Sequence, residues 1–91
     1  METYQKFLII EILNYEYCSD NVLFFKNLYV RYQKYTSKLD EKILTFKMFV
    51  RHVKSFVLVD GSGINVVKKT RGLRLQIDDI KITKQWIKTL L

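Results

Sequence analysis

The spacing of apolar residues changes character after Phe56, and that change restricts the chain to folds that join helices to a small sheet. Before it, apolar side chains recur every three or four residues, as in helices that bury one face. Beyond it, "FVLVDGSGINVVKKTRGLRLQI" is rich in β-branched residues and turn glycines, and Leu73, Leu75 and Ile77 alternate, which predicts strands. The helical part divides into three. In Thr3 to Tyr15, Tyr4, Phe7, Leu8, Ile12 and Tyr15 keep helical spacing behind Thr3 as an N-cap. From about Val22 to Tyr35, Phe25, Leu28, Tyr29, Tyr32 and Tyr35 do the same, while Lys26, Asn27, Arg31 and Lys34 fall toward the other side. Between them "CSDN" is a turn, with Asp20 or Asn21 as cap of the second helix. "TSKLDEK" leads to the third helix, "TFKMFVRHVKSF", with Thr45 as N-cap and Phe46, Phe49, Val50, Val53 and Phe56 as its buried stripe. After the strands, "ITKQWIKTLL" is helical again, with Thr83 as a cap and Ile82, Trp86, Ile87 and Leu90 as apolar anchors.

At 91 residues, without proline, repeat or low-complexity stretch, the chain makes one small domain. Such a chain buries roughly 60% of the surface its unfolded form exposes, so a single core is expected. An apolar fraction of 48%, with six Phe and six Tyr, supplies that core and argues against a disordered tail. No apolar run reaches the roughly 18 residues of a membrane span, and the N-terminus has no signal-peptide pattern. A soluble, intracellular protein without membrane partners is expected. Cys18 is the only cysteine and cannot form an internal disulfide, in keeping with a reducing compartment.

Charge is unevenly divided. Residues 1–41 carry five Lys and Arg against six Asp and Glu, whereas residues 42–91 carry eleven against three, so the second segment accounts for the net charge of +7. An anionic partner is expected there, and nucleic acid is the usual one, because cations that neutralise phosphates release condensed counterions. Two groups of cations stand out. Lys47, Arg51 and Lys54 are four and three residues apart and stack along one side of the third helix, beside Ser55. Lys68, Lys69 and Arg71 crowd the tip of a β-hairpin in "KKTRG", while Arg74, out of phase with Leu73, Leu75 and Ile77, should face outward. Mutual repulsion at the tip would be relieved by a polyanion. Gly72 would permit a positive φ or a close backbone approach. Nothing in this pattern by itself reads bases, and a hairpin that only tracks phosphates would bind with little sequence preference.

Enzymatic chemistry finds no support. His52, the only histidine, has no cysteine or second histidine in pattern for nucleophilic or zinc chemistry. Asp78 and Asp79, adjacent on a strand, point to opposite faces and mark a strand-to-helix boundary rather than a metal pair. Gly61-Ser62-Gly63 lacks the rest of a dinucleotide fingerprint, no phosphate-cradling Gly-x-x-x-x-Gly-Lys loop is present, and no cofactor is expected. Trp86 and the row Tyr29, Tyr32, Tyr35 could stack on bases, but helical spacing assigns them to the core.

The fold expected is therefore α+β: three helices, a two-stranded β-hairpin and a C-terminal helix. This is the order of a small winged helix-turn-helix, with the hairpin as wing. "NLYVRYQKY", "TFKMFVRHVKSF" and "KKTRGLRL" together resemble the C-terminal winged-helix domain of poxvirus-type and phage-type primase-helicases. The resemblance lies in a Leu-Tyr-x-x-Tyr helix (Leu28, Tyr29, Tyr32), a Phe-centred third helix (Phe49) and a wing with Arg-Gly-x-x-Leu (Arg71, Gly72, Leu75), spanning about Phe7 to Ile77. It extends distantly to the regulatory-factor-X type of winged helix. The resemblance implies a non-catalytic DNA-binding domain, a C-terminal piece of a larger viral replication protein whose motor lies elsewhere, in the host cytoplasm if poxviral. It implies DNA, single-stranded, double-stranded or forked, at the mouth of a ring helicase; RNA is a lesser candidate because a basic surface that meets only the backbone does not distinguish the two sharply. Lys47, Arg51, Lys54, Lys68, Lys69, Arg71 and Arg74 would make the contacts. The isolated domain would be a monomer. The alternative is a protein-docking module of a replication or transcription complex, presenting Trp86, Ile87, Leu90 and Leu91 to a neighbour.

Overall fold

The computed structural model describes residues 1–14 and 22–91. In chain order these form α1 (Thr3–Leu13), β1 (Val22–Phe24), α2 (Phe25–Ser37), α3 (Phe46–Val57), β2 (Ile64–Lys69), β3 (Gly72–Ile77) and α4 (Ile80–Leu90). The architecture is α+β, with four helices and one antiparallel three-stranded sheet in the order β1-β3-β2. The expectation of only two strands is thereby corrected. Val22–Phe24, read from sequence as the start of the second helix, pairs with the free edge of β3 through Val22↔Gln76, Leu23↔Leu75 and Phe24↔Arg74. Three consecutive apolar residues have no measurable period, and this strand exists only because a remote one offers its backbone groups. Tyr15, Cys18 and the expected "CSDN" turn with its caps Asp20 and Asn21 lie outside the described residues.

Caps fall where side-chain oxygens reach free N–H groups. Thr45 caps α3 as expected, its Oγ1 accepting from Met48 N at 3.2 Å. Thr3 and Thr83 do not cap. At α1 the N-cap is Glu2, whose N–H donates to Gln5 Oε1 at 2.7 Å. At α4 it is Asp79, whose Oδ1 accepts from Lys81 N at 2.9 Å, while Asp78 accepts from Asn65 Nδ2. The two acids thus close a strand and open a helix.

The core converges on Phe49, which is fully buried. Its ring centroid lies 4.7 Å from that of Tyr32, 5.5 Å from Tyr29 and 6.4 Å from both Phe7 and Phe25, so α1, α2 and α3 meet around one side chain. Leu23, Leu75 and Ile77 are also buried, closing the sheet onto the helices. Tyr29 Oη donates to Leu44 O at 2.7 Å, and Leu44 N donates to Tyr32 Oη at 3.0 Å. These bonds hold the linker just ahead of α3 and fix where that helix begins. Two expected core residues are not buried: Phe46 is 40% and Ile82 50% exposed. Phe46 opens α3 at the margin of the helix seam, its ring nearly perpendicular to that of Tyr29 at a centroid distance of 5.3 Å. Ile82 points away because Thr83 and Ile87, four residues apart, take the inward side of α4.

A second buried polar knot joins α3, the turn before β2, and α4. Ser62 Oγ donates to Val57 O at 2.6 Å and accepts from Ile64 N at 3.2 Å, and Thr83 Oγ1 donates to Ser62 O at 2.7 Å. Gly63, beside it, has φ +70°, and a Cβ there would come 3.0 Å from Thr83 Oγ1. Gly63→Ala is therefore expected to cost about 1–2 kcal/mol for the left-handed backbone alone, and more for the disturbed hydroxyl. Gly61→Ala, at φ +86° with open space around it, should lose only the backbone part. Urea denaturation of the two variants checks this; equal losses would mean that Thr83 yields freely.

Candidate nucleic-acid interface

α3 buries Phe49, Val53 and Val57 and turns its other side outward. Lys47, Arg51 and Lys54 come together on that side, lining one open groove with Val50 and Ser55. Val50, expected in the buried stripe, is only half-buried at the groove's floor. Among the described residues the one ion pair is Arg31 Nε with Glu11 Oε1, at 2.8 Å between α2 and α1. The three cations of α3 therefore have no carboxylate partner among those residues.

The hairpin distributes its cations differently from one another. β2 and β3 pair from Ile64↔Ile77 to Lys69↔Gly72, leaving Thr70 and Arg71 at the turn. Gly72 has φ +112°, closing the turn in a conformation that a side-chain-bearing residue rarely adopts. Lys68 pairs with Leu73 and Lys69 with Gly72, so the two lysines project to opposite faces of the tip, both exposed. Arg71 borders a cleft shared with Phe46, the first residue of α3, and so connects the tip to that helix.

Arg74 departs from the expectation. It lies on the face opposite Leu75, as alternation requires, but it is half-buried rather than free. Its guanidinium sits 4.8 Å from the ring centroid of Phe24 on β1, and its Nε is buried without a hydrogen-bond partner among the described residues. The unanticipated β1 supplies that cover, so Arg74 serves the sheet. Arg74→Ala is expected to lower stability by about 1 kcal/mol through the lost cation–π contact and stem packing. Lys69→Ala should stay within about 0.5 kcal/mol of the parent in the same thermal melt.

Other expected assignments fall into the packing. Tyr29 and Tyr32 hold Leu44, and Trp86 is half-buried with its ring 5.4 Å from that of Phe56. His52 stacks on Tyr4 at 5.3 Å. Burial, then the nearby Glu2 charge, push the Tyr4 phenol above the ordinary tyrosine range, against a smaller lowering by Gln5. Ile87, named for docking, is fully buried and belongs to the core. No group of three His, Cys, Asp or Glu is placed to hold a metal among the described residues, and no helix there is long and apolar enough to cross a membrane. Sequence reasoning missed Lys26, which lines the same cleft as Arg71; its signal was a cation in the first turn of a helix, set between aromatic residues.

Fold and surface together define a small α+β domain with a basic helix face and a basic hairpin tip. No protein-family model, curated protein or solved structure matches the chain.

Proposed function

We propose that this chain is a non-catalytic DNA-binding domain of the winged-helix kind, contacting phosphates through α3 and the β2–β3 hairpin. The observation that carries the proposal is the α3 groove, where Lys47, Arg51 and Lys54 line one surface without a carboxylate partner among the described residues. Three side chains at helical spacing suit a row of phosphates, and each neutralised phosphate adds a salt-dependent increment to affinity. Lys68, Lys69 and Arg71 extend the contact from the hairpin tip, and Arg74 contributes only to the general field. The element order, with a short strand before α2 completing the hairpin's sheet, supports the winged-helix arrangement.

The finer part of the proposal is a viral replicative primase-helicase as parent protein, acting inside the host cell. It rests on Leu28, Tyr29, Tyr32, Phe49, Arg71, Gly72 and Leu75. Four of these hold the helical core together, so they speak for the arrangement more than for the task. Fluorescence anisotropy with labelled single-stranded, duplex and forked DNA over a salt series tests the central proposal. Affinity should fall steeply as salt rises. Absence of binding at low salt would overturn it and favour docking through the exposed apolar residues Leu58, Val59 and Ile82.

A further inference from the structure

The cleft between the hairpin tip and the beginnings of α2 and α3 has properties that phosphate tracking does not require. It encloses about 290 Å³ and is lined by Phe24, Lys26, Asn27, Phe46, Arg71 and Leu73 among others. That volume lies just below the roughly 300 Å³ at which pockets for small organic molecules begin, so one flat ring system is the appropriate scale of occupant. Phe46 is 40% exposed, with its ring nearly perpendicular to that of Tyr29. Phe24 is held in place by Arg74, 4.8 Å from its centroid. Lys26 and Arg71 are both exposed at the margin, and among the described residues no Asp or Glu lines the cleft.

Resting on the DNA-binding proposal above, we infer that this cleft receives one unpaired nucleotide. Its base stacks on Phe46 beside Phe24, its phosphate meets Lys26 and Arg71, and Asn27 offers an amide to a base edge. Aromatic faces flanked by cations match a base joined to a phosphate, because every base has a π-face and every linkage an anion. A purely apolar peptide would leave two cations desolvated at the margin without a counter-charge. The α3 groove would then track backbone, while the cleft distinguishes a splayed strand from a closed duplex. Forked or single-stranded DNA is thereby the preferred substrate class.

Two measurements on the 91-residue chain test this. In the first, anisotropy compares blunt duplex with the same duplex carrying a three-nucleotide unpaired flap. Phe46→Ala should weaken flap binding by roughly tenfold, leave blunt duplex within about twofold, and be rescued by Phe46→Trp. Circular dichroism confirms that the variants are folded. In the second, the dinucleotide pdTpdT is titrated into the unaltered chain and followed by amide NMR, which needs no variant. Shifts centred on Lys26, Asn27, Phe46 and Arg71 support the cleft, even if duplex binding through α3 fails. Shifts centred on Lys47, Arg51 and Lys54 overturn the cleft while the DNA-binding proposal stands. Equal weakening of flap and blunt duplex by Phe46→Ala also overturns it. So does a self-association that Phe46→Ala abolishes without any response to pdTpdT, which would assign the cleft to a second copy of the chain.

Discussion

Phe49→Ala is expected to lower the thermal midpoint by roughly 15–30 °C, the largest stability effect of any single substitution considered for this chain. The ring is fully buried and meets four other aromatic rings contributed by α1 and α2, at 4.7 to 6.4 Å. Truncation removes its transfer free energy and leaves a void between three helices that are each held by tertiary packing, for a loss of about 3–5 kcal/mol. A small domain has only about 5–15 kcal/mol of net stability, so most of the margin disappears. Phe49→Leu, which removes less volume, should lose less. Melting followed by far-ultraviolet circular dichroism gives the result, and a shift below about 5 °C would show that the aromatic cluster collapses around the gap.

Replacing Lys47, Arg51 and Lys54 together by Ala should lower DNA affinity by roughly a hundredfold near physiological salt and reduce the salt slope by about 0.9 for each cation removed. The groove places all three on one surface, and the opposite side of α3 is the buried one, so the loss should come without unfolding. The informative control is Lys81, Lys84 and Lys88 to Ala on α4, which removes the same formal charge from a different helix. If a general positive field attracted DNA, both triple variants would weaken binding alike. A localised contact predicts that the α3 variant loses far more. Equal losses would remove α3 from the interface even though the chain binds DNA.

Much of this was legible because helical burial leaves a local trace. Phe49 and Val53 announce their inward direction through spacing, and the outward direction of Lys47, Arg51 and Lys54 follows from the same rotation. The hairpin was equally legible, since alternation, a basic tip and Gly72 are all near neighbours in the chain. The exceptions lie at element ends. Phe46 looked like one more member of a stripe, yet it stands at the margin of α3, where its neighbours no longer surround it. Thr83 looked like a cap, but Asp79 stood nearer the free N–H groups, leaving the threonine hydroxyl to meet Ser62 inside.

By itself, then, the sequence determined the four helical segments to within a few residues at their ends, the hairpin and the outward side of α3 that carries the cations, all properties set by residues within a few positions of one another. Only the tertiary structure decided that Val22–Phe24 is a strand, that Phe49 is the ring on which α1 and α2 converge, that Arg74 is covered, and that Lys26, Phe46 and Arg71 border one cleft. Each of these depends on segments distant in the chain meeting in space, and neither periodicity nor composition records which remote backbone or side chain a residue will face.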